Sequence, residues 1–380
     1  MADKPRVLVA MSGGVDSSVA AALLVRQGYD CVGVTMKLFE DGAELPDRPC
    51  CSLDSTSDAR RVAQQLDIPH YVLNMVDHFG RDVIADFVSE YASGRTPIPC
   101  VRCNTFTKFS DLVTKADAID APFVATGHYA RVADGRLLRG ADDNKDQTYF
   151  LWGIDRGVVP RLILPVGELT KTETRQIARD LQLPRVADKA ESQEICFVPD
   201  GDYMAILKRE LPADAPALTP GPFVLSDGTL VGAHNGFAQY TIGQRRALPG
   251  GFSEPMFVTA IRPADRAVVL GPRAELLGKA LIARGTNWLG DVPRVGDAVG
   301  VRVRHRAPIA PGEVIRMDGD EIEVALDAPV AAIAPGQSAV FYRADVVLGG
   351  GFIASATPVT LNTRALPIRR TPSSGAPVRS

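Results

Sequence analysis

The chain has 380 residues and a formal net charge of −3, with 46% hydrophobic and 23% charged residues. This length predicts two or three domains with buried cores, and the charge balance excludes a protein that binds nucleic acid through bulk positive charge. The apolar run at the N-terminus is too short for a signal peptide, and no run reaches membrane-spanning length. We therefore expect a cytoplasmic protein that makes no membrane contact.

The first third of the chain alternates between short apolar runs and stretches with helical periodicity. Such alternation predicts βαβ units, and hence a Rossmann-type α/β domain whose mostly parallel sheet is covered by helices on both faces. Ligands bind such sheets at the carboxyl ends of the strands, so we expect one site built from the loop after the first strand, Met36 and Gly127. The predicted strands are residues 7–11, 31–36, 70–73 and 123–126, and the predicted helices are residues 15–27, 55–66, 79–91 and 106–118.

The later sequence changes character. One more helix is predicted over residues 161–181, with Thr170 and Glu173 spaced as a capping box. Beyond about residue 210, prolines and glycines separate short β-type runs, which predicts a C-terminal antiparallel β-barrel or sandwich. The runs are residues 257–261, 267–270, 299–304, 313–317, 321–326 and 338–342. The predicted divisions are residues 1–205, a small central domain over 206–275, the barrel over 276–358 and a disordered basic tail over 359–380.

The loop Ser-Gly-Gly-Val-Asp-Ser-Ser at residues 12–18 joins the first strand to the first helix. Its glycines permit positive φ and close approach, and the helix N-terminus presents N–H groups and the positive end of a dipole, so the loop predicts a phosphate site. The alternative is a turn that binds no ligand. The spacing fits neither the Walker pattern nor Gly-x-Gly-x-x-Gly. It resembles the SGGxDS loop of the N-type ATP pyrophosphatases, in which the acidic residue, here Asp16, helps to hold magnesium on the pyrophosphate.

The six cysteines do not indicate a disulfide framework in a chain of this length. Cys100 and Cys103 have Cys-x-x-Cys spacing, and the prolines just before them argue against a regular helix before residue 104. Three interpretations stay open: a redox couple, half of a zinc site completed by Cys50 and Cys51, or two unrelated thiols. Cys31 lies inside an apolar strand and is predicted to pack in the core.

Eight short blocks occur in an order that resembles the bacterial tRNA-specific 2-thiouridylase family. The resemblance covers roughly residues 5–355, and it implies an adenine nucleotide alpha hydrolase-like catalytic domain followed by a central domain and a tRNA-contacting barrel. The family usually has an aspartate where this chain has Cys100. The blocks are residues 12–18, 94–97, 103–104, 125–129, 144–147, 195–197, 243–245 and 335–342.

The resemblance implies ATP-dependent 2-thiolation of the wobble uridine of tRNA. Attack of the uridine O2 on the α-phosphate would give an adenylate and pyrophosphate, with Mg²⁺ offsetting the developing charge, and AMP would later leave in place of oxide. By the same resemblance Cys196 carries a persulfide delivered by a sulfur-donor protein, and Cys103 is the nucleophile that works against it. A Cys103–Cys196 disulfide would remain, to be reduced before the next turnover. An alternative for Cys100 is an iron–sulfur centre shared with Cys103 and Cys196.

The resemblance also implies two sets of binding residues, and no resident metal ligands. The wobble nucleotide must turn out of the anticodon stack to be reached. The basic run at residues 302–306 could equally be a solvated face. The residues implied for ATP are Ala10, Met11, Ser12, Gly13, Gly14, Val15, Asp16, Ser17, Met36 and Gly127. Those implied for tRNA are Ile98, His128, Lys145, Asp146, Gln147, Arg304, His305 and Gln337.

Three other functions are compatible with the glycine loop. A synthetase that ligates or amidates a small molecule would need no paired thiols. A thiolase acting at another tRNA position would differ only in the nucleoside that gains sulfur. A non-enzymatic RNA-binding module would bind the nucleotide as a regulator and would release no pyrophosphate.

Overall fold

The computed structural model describes residues 4–39, 53–183, 186–187, 195–198 and 201–359. Its N-terminal part is a five-stranded parallel sheet in the order β3-β2-β1-β4-β7. The four strands predicted in the first third of the chain are confirmed, and β7 adds an edge. The strands are β1 Lys4–Ala10, β2 Tyr29–Lys37, β3 His70–Asn74, β4 Phe123–Ala125 and β7 Leu162–Ile163.

Helices cover both faces of this sheet. Along β1, Val7 and Val9 pack into one apolar cluster with α1, while Leu8 packs with Phe109 and Leu112 on the other face. Apolar residues on both sides are typical of a buried parallel strand. The helices are α1 Val15–Arg26, α2 Leu53–Gln65, α3 Val76–Phe79, α4 Ala85–Ala92, α5 Pro99–Arg102, α6 Ser110–Asp117, α7 Lys171–Asp180 and α8 Tyr203–Glu210, with π-helical turns at Gly80–Ile84 and Cys103–Phe109.

Two helix predictions need correction. The prediction that prolines exclude a regular helix before residue 104 was wrong, because Pro99 occupies the first turn of α5, where its missing N–H costs nothing. The predicted helix at residues 161–181 begins only at Lys171, since a 3-10 helix at Arg156–Arg161 and strand β7 precede it. The capping box of Thr170 and Glu173 is confirmed.

The central segment is a four-stranded sheet in the order β10-β11-β8-β9. Its β11 and β8 run parallel, and the other two pairings are antiparallel. The sequence predicted β10 and β11 but not β8 or β9. The strands are β8 Gly221–Leu225, β9 Leu230–His234, β10 Met256–Arg262 and β11 Ala267–Pro272.

The C-terminal part is an antiparallel barrel of six strands, β12-β15-β14-β13-β16-β17, closed by pairing of β12 with β17. The barrel, not the sandwich, is thus the correct alternative. A hairpin of β5 and β6 from the N-terminal part joins the same sheet, where Leu138 pairs with Val346. The strands are β5 Ala130–Ala133, β6 Arg136–Arg139, β12 Leu277–Trp288, β13 Ala298–Arg302, β14 Ala310–Asp318, β15 Glu321–Ala331, β16 Ser338–Arg343 and β17 Val346–Pro358.

Two predictions fall on residues that are not described: the tail beyond residue 359 and the thiols of Cys50 and Cys51. Among the described helices, none combines the length and the apolar character that crossing a membrane requires.

Candidate active site

The glycine loop is shaped by close packing between β1, α1 and α2. Gly13 has φ of +69°, and a Cβ there would overlap the carbonyl oxygen of Ser55. Both the backbone conformation and the lack of space therefore require glycine at this position. The Ser12 N–H donates to Ser17 Oγ at 3.1 Å, and Ser18 Oγ donates to the Gly14 carbonyl at 2.8 Å. Gly14 is the N-cap of α1 and has no side chain to cover the N–H groups of the first turn. The loop can therefore present backbone donors to an anion.

The end of β4 meets the start of α1 at Gly127. A Cβ on Gly127 would lie 2.5 Å from the backbone nitrogen of Ser17 and 2.6 Å from the carbonyl carbon of Asp16. The end of β2 is tied to the same loop, because Thr35 Oγ1 donates to the Met11 carbonyl at 2.6 Å, and Met36 follows directly. The structure thus brings together the three segments that the sequence placed at strand ends.

Asp16 is held by two side chains from other elements. Lys171 Nζ donates to both carboxylate oxygens of Asp16, at 2.7 and 2.8 Å, and the Tyr129 hydroxyl donates to Oδ1 at 2.8 Å. Lys171 is the first residue of α7, and the Tyr129 hydroxyl also lies 3.0 Å from Thr174 one turn later. The loop therefore has a cation beside its acidic residue.

Sequence reasoning missed Lys171. A positive charge at the N-terminus of a helix opposes the helix dipole, so a lysine directly after a capping-box threonine is a signal that could have found it. What the sequence does not contain is the packing of α7 against α1, which decides that this lysine points at Asp16.

The two cysteines with implied sulfur chemistry both contact one apolar cluster. Cys103 is 5% exposed and starts the π-helical turn, and Cys196 packs against the same cluster. Phe197 anchors the short segment around Cys196, because its ring lies edge-on to Phe79 at 5.5 Å and to Phe87 at 5.1 Å. Cys103 and Cys196, which are far apart in sequence, thus contact the same apolar cluster.

The remaining described cysteines differ in their surroundings. Cys100 is exposed, one helical turn before Cys103. Cys31 is buried in β2, as predicted, and burial together with the charge of Asp30 raises the pKa of its thiol to about 11. Among the residues with described positions, no three His, Cys, Asp or Glu side chains are grouped so that they could hold a metal ion. The described thiols therefore do not form the set of ligands that an iron–sulfur centre needs.

His128 and Gln147 lie beside the Asp16 partner Tyr129. Gln147 Oε1 accepts from the Tyr129 N–H at 2.9 Å, and His128 Nδ1 lies 2.8 Å from Thr126 Oγ1. Burial, with a smaller contribution from the charge of Lys108, lowers the pKa of His128 to about 3. This imidazole is therefore neutral at physiological pH.

Asp146 is buried and joins the N-terminal part to the barrel. Its carboxylate accepts from Arg302 Nη1 at 2.6 Å and from the Thr148 hydroxyl at 2.9 Å. Arg302 is itself 5% exposed, whereas Arg304 is exposed beyond the end of β13. The basic run at residues 302–306 is consequently not one solvated face, because its first arginine, Arg302, is buried in an ion pair with Asp146.

Gln337 and Ile98 lie at the junction between the barrel and the helix that carries Cys103. Gln337 Nε2 lies 3.1 Å from the carbonyl oxygens of both Thr96 and Pro97, and donates to them. Ile98 follows directly and is 7% exposed. The barrel loop thus fixes the chain just before α5.

His305 reaches the same helix through Phe150. Its ring lies 4.5 Å from the Phe150 ring, and the Phe150 carbonyl accepts from Asn104 Nδ2 at 3.0 Å. Burial is the main cause of a lowered pKa of His305. Neutral, half-buried imidazoles therefore lie on both the N-terminal part and the barrel, near the Cys103 helix.

Three family models match the chain in succession. The model described as tRNA methyl transferase HUP domain matches residues 5–200. The tRNA methyl transferase PRC-barrel domain matches residues 207–272, and the aminomethyltransferase beta-barrel domain matches residues 278–353. Among solved structures, NMN synthetase from Francisella tularensis is similar at 20% identity and a TM-score of 0.36, over 56% of this chain and 81% of that one, which is too distant to carry an argument.

Curated relatives match nearly end to end. The tRNA-specific 2-thiouridylase MnmA of Solibacter usitatus is 45% identical, covering 93% of this chain and 100% of the relative. The proteins of the same name from Carboxydothermus hydrogenoformans and Rhodospirillum rubrum are 45% and 46% identical, over 92% of this chain and 98% and 96% of the relatives. By this similarity over almost its whole length, the chain belongs to the family of tRNA-specific 2-thiouridylases.

Proposed function

We propose that this protein is an ATP-dependent tRNA-uridine 2-sulfurtransferase that converts the wobble uridine of tRNA to 2-thiouridine. The observation that carries the proposal is the shared cluster of Cys103 and Cys196 on the same domain as the glycine loop. A loop that binds ATP and a pair of thiols are the two parts that such a reaction needs. A small-molecule synthetase would use the first part only.

In the activation step, the uridine O2 attacks the α-phosphate of ATP, and pyrophosphate leaves. The N–H groups of the loop and of the first turn of α1 bind the phosphates, and Met36 and Gly127 line the nucleotide site with the residues of the loop. Asp16 is the carboxylate that would hold Mg²⁺, which neutralises charge on the pyrophosphate when it is bound. Lys171 contacts both oxygens of Asp16, which are the atoms that would hold Mg²⁺. We therefore propose that its ammonium group moves to a phosphate oxygen when the metal nucleotide enters.

In the transfer step, the terminal sulfur of a Cys196 persulfide attacks the activated C2, and AMP leaves. The Cys103 thiolate then attacks Cys196 Sγ, so the bond between Cys196 and the transferred sulfur breaks and the sulfur stays on C2. The products are 2-thiouridine and a Cys103–Cys196 disulfide. The burial of Cys103 supports this assignment, because it keeps oxidants and competing electrophiles from the thiol and water from the activated C2.

We further propose that the tRNA lies across the surface where the Cys103 helix meets the barrel. Gln337 and Ile98 lie at that junction, and a buried Asp146 would position its neighbours rather than touch the RNA itself.

The division at residues 205, 275 and 358 remains our proposal for the domain limits. The donor would be a persulfide-carrying protein, and the site of action the cytoplasm. The other proposed tRNA contacts are His128, Lys145, Gln147, Arg304 and His305.

The test is nucleoside mass analysis of total tRNA from cells with and without the gene. We expect wobble 2-thiouridine to disappear without the gene and to return with the intact protein, but not with Cys103→Ser or Cys196→Ser. Purified protein should release pyrophosphate only when both ATP and tRNA are present. Normal thiolation with either serine variant would contradict the sulfur step. Unchanged 2-thiouridine without the gene would contradict the substrate.

A further inference from the structure

Three thiols near the proposed site differ in their access to solvent. Cys103 is 5% exposed, Cys196 is half-buried against the same cluster, and Cys100 is exposed. In a disulfide between Cys103 and Cys196, the Cys103 sulfur would therefore lie at a place that a protein reductant reaches poorly. The proposed reaction gives no role to Cys100, the thiol that such a reductant could reach.

The helix sets the distance between Cys100 and Cys103. Both lie in one continuous helical stretch that begins at Pro99, and they are three residues apart. Helical geometry places Cα atoms at this spacing about 5 Å apart. Disulfides are compatible with Cα separations from about 4.4 to 6.8 Å. The Cα criterion is thus met, whereas the Cβ atoms, about 5–6 Å apart at this spacing, must approach to about 4 Å, so a bond between the two sulfurs needs side-chain rotation and a local adjustment of the first turn of α5.

We propose that Cys100 is a resolving thiol that moves the disulfide of each turnover from the buried cluster to the protein surface. This inference rests on the proposed function, since it needs the Cys103–Cys196 disulfide as its starting point. It assigns the Cys-x-x-Cys pair as a redox couple, one of the three interpretations that the sequence left open. The partner it implies is an external dithiol reductant.

The exchange balances without any further reactant. The Cys100 thiolate attacks Cys103 Sγ, the Cys103–Cys196 bond breaks, and the electron pair leaves on Cys196 Sγ. The proton lost by Cys100 is taken up by the Cys196 thiolate, which is then ready for a new persulfide. The external dithiol next reduces the Cys100–Cys103 disulfide: its first thiol attacks Cys100 Sγ and its second thiol resolves the mixed disulfide, so the dithiol is oxidised and both protein thiols are restored.

The experiment maps disulfides after one turnover in the absence of reductant. Intact protein and Cys100→Ser are given persulfide, ATP and tRNA, then alkylated, digested and analysed by mass spectrometry. We expect a Cys100–Cys103 disulfide and an alkylated Cys196 in the intact protein, and a trapped Cys103–Cys196 disulfide in the variant. With a protein dithiol as the reductant, we expect Cys100→Ser to turn over about tenfold more slowly, because access to the disulfide limits exchange.

A small, strong reductant distinguishes slow reduction of the disulfide in Cys100→Ser from misfolding of that variant. Excess dithiothreitol should restore turnover to Cys100→Ser, because a small molecule can enter where a protein cannot. An equal amount of Cys103–Cys196 disulfide in both proteins would overturn the inference and leave the proposed function standing. Failure to find that disulfide in Cys100→Ser after tRNA has been thiolated would overturn the proposed sulfur-transfer step, and with it the starting point of the inference, while the thiolation of tRNA would stand. Stoichiometric iron in the intact protein that is lost in Cys100→Ser would overturn the inference, because the thiols would then hold a metal.

Discussion

Lys171 is a residue whose position only the folded chain explains. It lies at the N-terminus of α7, where the helix dipole disfavours a cation, and its ammonium group touches both oxygens of Asp16. We expect attraction between the ammonium group and the bound phosphate to offset this unfavourable interaction with the helix dipole. The pair thus holds the acidic residue in place before the nucleotide arrives.

We expect Lys171→Met to slow tRNA-dependent pyrophosphate release by about 100-fold, because one donor aimed at a developing anion contributes roughly that much to a rate. Steady-state kinetics with varied ATP provide the measurement. Lys171→Arg is the matched control, since it keeps the charge, and it should retain more activity than the methionine variant. Equal activity of the methionine variant and the intact protein would remove Lys171 from the phosphate site.

His128 supplies a prediction about pH. In the folded protein its pKa is lowered to about 3, mainly by burial. An unfolded histidine titrates near about 6.5, so between these values the unfolded state binds more protons and stability decreases as the pH falls. We expect the thermal midpoint of the intact protein to fall more steeply from about pH 7 to about pH 5 than that of His128→Asn. Parallel profiles of thermal midpoint against pH for the two proteins would show that His128 does not contribute to the pH dependence of stability.

At the scale of elements, the contact between β4 and α1 decides whether the glycine loop can form. Gly127 touches the backbone of Asp16 and Ser17 so closely that it leaves no room for a methyl group. Backbone atoms cannot move aside as a flexible side chain can. The site therefore depends on a residue that makes no chemical contribution of its own.

We expect Gly127→Ala to destabilise the protein by about 1–3 kcal/mol, as overpacking does, and to abolish pyrophosphate release because the loop is displaced. Gly80→Ala is the control: Gly80 has φ of −58°, and a Cβ there meets nothing within 4 Å. Thermal denaturation and pyrophosphate release measure the two effects. If both alanine variants behaved alike, the close approach at Gly127 would not matter.

The sequence predicted the elements with clear periodicity and missed those whose pattern depends on tertiary packing. Strands β1 to β4 of the parallel sheet were predicted because their apolar runs are uninterrupted, whereas the two-residue β7 was missed. Strand β17 was missed because three glycines interrupt it. Gly350 is explained only by tertiary contacts, since a Cβ there would lie 2.6 Å from the Trp152 ring and 2.9 Å from the Ala339 carbonyl oxygen. Met36 and Gly127 could be placed at strand ends from the sequence, whereas the contact of Lys171 with Asp16 depends on how two helices pack.

At the scale of the whole molecule, a buried ion pair ties the N-terminal part to the barrel. Asp146 and Arg302 are 1% and 5% exposed, and their side chains lie 2.6 Å apart. Removing one partner leaves a buried charge without its counterpart, which costs about 3–5 kcal/mol. The molecule is therefore more sensitive to the loss of one partner of this pair than to the loss of a partner in a surface ion pair.

We accordingly expect Arg302→Met to lower the denaturation midpoint markedly, and the double variant Asp146→Asn with Arg302→Met to recover part of the loss. Chemical denaturation followed by fluorescence provides the comparison. Arg343→Met is a control, because its ion pair with Asp297 is solvent-exposed. A double variant no more stable than Arg302→Met would show that the pair itself is not the source of the loss.

The pairing of Leu138 with Val346 has a consequence for synthesis. The hairpin of β5 and β6 is made before the barrel strands, while β17, which pairs with it, is made after all the other described strands. Until then the edge of β6 keeps unpaired backbone groups, which other chains can join. The full sheet is thus completed only after β17 has been made, and chains that stop short of β17 are expected to aggregate through that edge rather than survive as shortened enzymes.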